Sequence, residues 1–383
     1  MRINNIHYFD IVITGSGPAS HVLASALENA FPEKKIAWVR DHSDLEEKKM
    51  DLRKLALSYS SLSILRKLKL ISYQKIGHYI QRINVSDEGH FGKVFLNASK
   101  IGVPYLGAVL SFNELLKNLK LEKCSIYRDS VCEINQNEKE IKISLSDNQK
   151  ITTKLVINTD RTTLPLSTMQ KFEFNTKDFG QFAITADIIF EYNNNNEAFE
   201  RFTEEGPFAL LPFSDNAFNM VWCLNERKKN FCSLLNDKEL ISLIQKKFGW
   251  KLGKICSIDN IAFYDLKRET INNFFSHRIL NIGSFANKIH PVAGQGFNLT
   301  IRDINTVINT LTQYEDPGSW ISLNSIEKNR KIDQQNIIWF TEGLIHLFSN
   351  KELSFFRSLG LSIFNNFNFL QQSLTKFIIK DEY

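Results

Sequence analysis

Two glycine clusters have the residue types and spacing to do chemistry. The first is Gly15 and Gly17 in "DIVITGSGPASHVLASALENA", with the small residue Ser20 three positions after Gly17. A glycine turn between an apolar strand and an Ala/Leu-rich helix bends the chain tightly. It also brings bare amides, and the positive end of a helix dipole, up to an anion. The second is Gly294–Gln295–Gly296 in "KIHPVAGQGFNLTIRD", with Pro291 just before and Phe297 and Asn298 opening a helix pattern just after. A turn followed by a helix start explains such punctuation structurally. The same glycines also let backbone N–H groups approach a flat, electron-rich ligand.

The flanking elements give the first cluster its meaning. "DIVIT" is a buried strand, the Ala/Leu stretch a helix and "KKIAWVR" a second strand. Strand, glycine turn, helix and strand together form a dinucleotide-binding unit whose diphosphate sits on the helix dipole. The acid that such a unit places at the end of its second strand, to bind a ribose hydroxyl, is Arg40 here, with Asp41 one step beyond. Alternate strand residues face opposite sides, so Asp41 serves only if the strand end bends.

Further along, Leu52–Leu68 carries apolar residues at 57, 62, 65 and 68, a spacing that predicts a helix with Arg53 near its start. A hairpin is expected over Ile80–Leu96, turning at Glu88–Gly89, and a helix over "SFNELLKNLKL". Strands follow up to Asp160, and residues 180–270 read as strand-rich with one helical piece, "DKELISLIQKKFGW". "HRILNIGSFAN" is a late buried strand that feeds the second glycine cluster, and "NLTIRDINTVINTL" is the helix after it. From Leu323 the pattern is helical. Leu359, Ile363, Phe364, Phe367, Leu370, Leu374, Phe377 and Ile378 make one apolar face that packs on the body or lies in a membrane interface.

The chain has 383 residues, 43% hydrophobic and 23% charged, which is the globular range. Its net charge of +5, spread without a basic block, excludes a nucleic-acid footprint. Five cysteines with no CxxC argue against a zinc ribbon or a disulfide framework and for a reducing compartment, and no metal is expected. "MRINNIHYFD" has no secretory pattern, and no apolar run approaches the roughly 20 residues of a membrane span. The expected location is cytoplasmic, with peripheral contact at the inner face of the membrane.

These motifs, in this order, resemble the flavin-dependent aromatic hydroxylases of the para-hydroxybenzoate hydroxylase fold. The ubiquinone-biosynthesis branch (UbiH/VisC type) is the nearest, with a lean toward its 2-polyprenyl-6-methoxyphenol hydroxylase subgroup. The likeness runs from about Asp10 to about Leu361 and is carried most specifically by "ERFTEEGPFALLP" and "HPVAGQGFNLTIRD". It implies an α/β fold: a discontinuous Rossmann-like FAD-binding domain, an inserted strand-rich substrate domain and a C-terminal helical region. The implied parts are 1–72, 101–175 and 273–322 for FAD, 73–100 and 176–272 for substrate, and 323–383 for the helices. Implied too are FAD as cofactor, NADH or NADPH as electron donor, and O2 with a polyprenyl phenol as substrates, the oxygen passing through a flavin hydroperoxide. Other quinone-biosynthesis proteins are possible partners. By the same resemblance Gly15 and Gly17 meet the diphosphate, Arg53 the body of FAD, and Gly294, Gln295 and Gly296 the flavin ring, while Pro291 shapes the turn. His290 reads as structural rather than as a base.

The chain departs from that pattern at four places. Ser20 replaces a glycine. Arg40 replaces the acid, Arg161 follows Asp160 where a glycine is usual, and Ser284 stands where Asp or Asn meets the ribityl or phosphate. Each departure removes about one hydrogen bond, roughly 1–3 kcal/mol, unless Arg40 or Arg161 pairs with a phosphate. They motivate an alternative: a diverged, non-catalytic relative serving as a lipid-binding or structural subunit of a quinone-biosynthesis complex.

Overall fold

A computed structural model describes residues 6–41, 53–89 and 93–349. The chain opens with β1 (Ile6–Thr14), α1 (Pro18–Ala30) and β2 (Ile36–Arg40). Next come β3 (Lys54–Ser58), α2 (Tyr59–Lys67), β4 (His78–Ile80), β5 (Arg82–Asp87), β6 (Lys93–Asn97), α3 (Ala98–Ile101), β7 (Gly107–Ser111) and α4 (Phe112–Leu116). β8 (Ser125–Arg128), β9 (Val131–Gln136), β10 (Ile141–Leu145), β11 (Lys150–Asn158) and α5 (Leu166–Met169) lead to the long β12 (Phe174–Phe190). β13 (Glu197–Thr203), β14 (Gly206–Pro212), β15 (Ala217–Asn225), α6 (Lys229–Leu234), α7 (Asp237–Phe248) and β16 (Ile255–Ile271) follow. The described chain closes with β17 (Phe275–Ser276), β18 (Ile279–Asn281), α8 (Gly283–Ala286), β19 (Asn287–Lys288), α9 (Gln295–Leu311) and α10 (Trp320–Ser349).

Three sheets organise these elements. The first runs β17-β18-β11-β1-β2-β8, with β10 and then β9 added beside β11. Its centre, β18 through β8, is parallel. Ile11, Val12, Ile13 and Thr14 are all fully buried, as a parallel strand covered on both faces must be. The second sheet runs β19-β16-β12-β15-β14-β13-β5-β6, antiparallel except for the β13–β5 pair. One of its faces packs Phe182, Ile184, Phe208, Met220 and Trp222 against Leu240 and Ile244 of α7. The third is a small sheet, β3-β7-β4, between the other two.

The helix expected over Leu52–Leu68 is corrected by the structure. Lys54–Ser58 is a strand paired with β7, and the helix begins only at Tyr59. Ser58 marks the change, its hydroxyl accepting from the Ser61 amide as an N-cap. Apolar residues at 55 and 57 satisfy both periods, and the edge of β7 decides between them. The helix expected over "SFNELLKNLKL" is likewise short, ending at Leu116. The apolar face at 359–378 lies outside the described residues. Among the described helices none is long and apolar enough to cross a membrane.

Candidate functional site

The C-terminal ends of β1, β11 and β18 converge on the first glycine turn. A buried ladder joins them: Thr14 Oγ1 donates to Asn158 Oδ1 at 2.5 Å, and Asn158 Nδ2 donates to Asn281 Oδ1 at 2.7 Å. This is the edge where open α/β sheets bind ligands. Gly15 has φ of +129°, and a Cβ there would lie 2.3 Å from Thr159 Oγ1, so only glycine fits. Trp38 of β2 pins the turn by donating its indole N–H to Gly15 O at 2.7 Å. Ser20 is fully buried and shares a 2.7 Å hydrogen bond with Thr159. The small residue in the third position therefore ties α1 to β11.

The amides at the head of α1 are engaged from within the chain. Asp160 Oδ2 accepts from Ser16 N at 2.8 Å and from Gly17 N at 2.9 Å. The Asp41 amide donates to Ser16 Oγ at 2.9 Å, which ties the end of β2 to the turn. Arg40 lays its guanidinium 4.8 Å from the centre of the Trp38 ring. Arg161 turns to the second sheet, where it bonds Glu269 at 2.8 Å and lies 4.0 Å from the Phe174 ring centre. Ser284 is exposed and donates to Thr159 O at 3.3 Å. Arg53 precedes β3 and accepts from the Phe112 amide through its carbonyl.

The second cluster lies where α9 begins. Pro291 starts a single 3-10 turn, Gly294 takes φ of +62°, and α9 starts at Gln295 rather than near Phe297. Asn298 holds this loop to β3: its Oδ1 accepts from Ser58 N at 2.9 Å, and its Nδ2 donates to Ala56 O at 2.9 Å and Gly294 O at 2.8 Å. Its polar atoms are thus committed to the scaffold. His290 accepts the Val292 amide on Nδ1 at 3.2 Å, which leaves Nε2 as the donor to Gln181 Oε1 at 3.2 Å. Burial lowers its pKa to about 4, so it is a neutral brace for the loop.

The exposed face of the second sheet looks at this loop. β13 alternates: Phe199 packs into the α7 core, while Ala198, Glu200 and Phe202 point the other way. Phe202 packs on Val292, and on Leu344 and Ile345 of α10. Register places Val85, Glu200, Ala209, Val221 and Thr185 in one row across five strands. Every member of the row keeps solvent-accessible surface, although the positions behind it, such as Phe208 and Trp222, are buried. This face of the sheet is therefore partly open to solvent. At its far side Lys54 of β3 pairs with Asp187 at 3.5 Å, and Asn219 and Asn260 also donate to Asp187. Burial raises Glu200 to about 7, and among the described residues no hydrogen bond or ion pair engages its carboxyl.

Sequence reasoning missed Glu200, the Lys54–Asp187 pair and the buried partner of Asp303. Asp303 Oδ1 accepts from Arg330 Nε at 2.6 Å, while its Oδ2 accepts from the Gly283 amide and from Asn287. A carboxyl in mid-strand among aromatics, as in "AFERF", was the available signal for Glu200. Among the described residues no group of three or more His, Cys, Asp or Glu is placed to hold a metal ion.

This arrangement fits FAD. A Cβ on Gly294 would meet Ala56 Cβ at 3.6 Å, and one on Gly296 would meet Ile289 at 4.0 Å, ordinary contacts that leave the loop backbone uncrowded. At the head of α1 the Ser16 and Gly17 amides are held by Asp160, an anion standing where a dinucleotide-binding fold places its diphosphate. Fold and site together define a dinucleotide-binding α/β flavoprotein. The chain belongs to the FAD binding domain family, whose model matches residues 114–335. It is 24% identical over 389 residues to the 3-demethoxyubiquinol 3-hydroxylase of Escherichia coli, covering 97% of this chain and 98% of that one. It is 28% identical over 214 residues to the ubiquinone hydroxylase UbiL of Rhodospirillum rubrum, a match that spans 55% of this chain and 50% of that protein. Its fold matches the p-nitrophenol 4-monooxygenase PnpA of Pseudomonas putida with a TM-score of 0.77 at 13% identity, over 98% of both chains.

Proposed function

We propose that this chain is an FAD-dependent monooxygenase that hydroxylates the ring of a polyprenylated phenol in ubiquinone biosynthesis. The observation that carries the reading is the uncrowded Gly294–Gly296 backbone beside the partly open Val85–Thr185 face, the two joined by the packing of Phe202 on Val292. Bound FAD supplies two-electron reduction by NADH or NADPH and transfer of one oxygen atom from O2 to the ring. Gly15 and Gly17 would let its diphosphate approach the head of α1, with the Gly17 amide passing from Asp160 to the phosphate. The amides around Gln295, at the head of α9, favour negative charge on the ring. Val85, Ala209 and Val221 leave room for a substrate ring and keep water away from it. We take the first sheet as the flavin-binding unit and the second as the substrate unit. Family membership and the undisturbed loop support catalysis over the scaffold alternative.

The test uses purified protein, FAD, NADH or NADPH and a short-chain 2-prenylphenol under labelled O2. One labelled oxygen atom in the recovered ring is the expected result. Flavin reduction and reoxidation with no labelled ring product would refute it.

A further inference from the structure

We propose that Glu200 receives the ring hydroxyl of the substrate, accepting its hydrogen bond and then its proton as charge builds on the ring oxygen. This rests on the hydroxylase reading and adds to it the group that holds the phenol. Three observations place Glu200 there. It stands in the accessible row, between Val85 and Ala209. Its neighbour on the same face, Phe202, touches Val292 of the loop. Its flanks are small or apolar, so its carboxyl is the one polar group of the row besides the hydroxyl of Thr185.

The chemistry balances without a co-reactant. The phenol O–H bond breaks, its proton goes to a Glu200 oxygen, and the electron pair stays on the ring oxygen. A phenol titrates at about 10. A carboxyl held at about 7 is a better matched acceptor than an ordinary glutamate. A ring carrying more negative charge on oxygen is the more electron-rich target.

Other groups around this face do not supply the same titration. Cys223 of β15 is buried and its thiol is pushed far up by that burial and by Glu200. Lys54 of β3 and Asp187 of β12 are paired, and Asp87 of β5 is buried with a partner of its own. His290 of the loop is held neutral. On α10, Glu342 is bonded to Lys177 and Arg268, and His346 is exposed. His78 of β4 is lowered by burial.

The experiment is calorimetric binding of 2-prenylphenol and its methyl ether to the FAD-loaded protein at about pH 5.5 and about pH 8.5, either side of the carboxyl titration. Wild type should bind the phenol about tenfold tighter at the higher pH, as for a charge-assisted hydrogen bond. The ether should show no such gain. E200Q should bind the phenol without pH dependence, and E200D should keep a reduced dependence. An E200Q profile equal to wild type, or an ether that matches the phenol at high pH, overturns the role of Glu200. If labelled-oxygen hydroxylation by wild type still stands in that case, the parent reading survives. If wild type binds no phenol at either pH, both fall.

Discussion

Asp160 caps Gly17: the carboxylate Oδ2 lies 2.9 Å from the Gly17 amide and 2.8 Å from that of Ser16. An internal anion thus sits on the helix head where a diphosphate binds. Asp160→Ala opens both amides and should destabilise the free protein by about 1–3 kcal/mol. A bound diphosphate then satisfies them, so the rise in Tm on adding FAD should be larger in the variant than in wild type. A smaller rise would mean that the carboxylate shapes the turn for the cofactor instead of competing with it.

The two loop glycines should separate strain from obstruction. Gly294 has φ of +62°, so Gly294→Ala should cost about 1–2 kcal/mol of stability. Gly296 carries no such constraint, and its Cβ would make only an ordinary contact with Ile289 at 4.0 Å. Gly296→Ala should therefore unfold in urea like wild type yet bind FAD several-fold more weakly, read by flavin fluorescence titration. Equal FAD affinity in Gly296→Ala would place the ring elsewhere.

Arg330 and Asp303 form a pair that is 4% and 0% exposed. Arg330 also donates to Asp333, which accepts from Arg302. Arg330→Met leaves Asp303 buried without its cation and should cost roughly 3–5 kcal/mol in urea unfolding. Because Asp303 also holds the Gly283 amide and Asn287, the double variant with Asp303→Asn should recover part of that loss. No recovery would mean that the arginine acts by packing alone.

Two buried groups should act on stability over nearly the same pH window, in opposite directions. Glu200 goes from 4.5 to about 7 on folding. Its contribution is intact below about 4.5 and is lost as pH rises through 7, roughly 3 kcal/mol at most. His290 goes from 6.5 to about 4. Its contribution is intact above about 6.5 and is lost as pH falls through 4, to a similar extent. The two offset one another between about pH 4.5 and 6.5 in wild type, so E200Q should leave the second acting alone and gain stability with rising pH across that window in chemical denaturation. An E200Q profile equal to that of wild type would assign the first contribution to another group.

The local sequence was enough for the β1–α1–β2 unit, the two glycine clusters, the strand-rich middle and the family. Apolar runs, glycine turns and helix starts are short-range requirements that a chain declares within a few residues. What it left open depended on distant partners. Residues 54–58 became a strand because β7 offered an edge. Asp160 found the Gly17 amide across 143 residues, and Arg161 found Glu269 on another sheet instead of a phosphate. Glu200 lies on the partly open face because its strand registers with β5 and β14, and a shift of one residue would have turned it into the α7 core. Strand parity and long-range pairing are properties of the assembled sheets, so only the tertiary structure decided which of these charged side chains is tied within the protein and which stands on an accessible face.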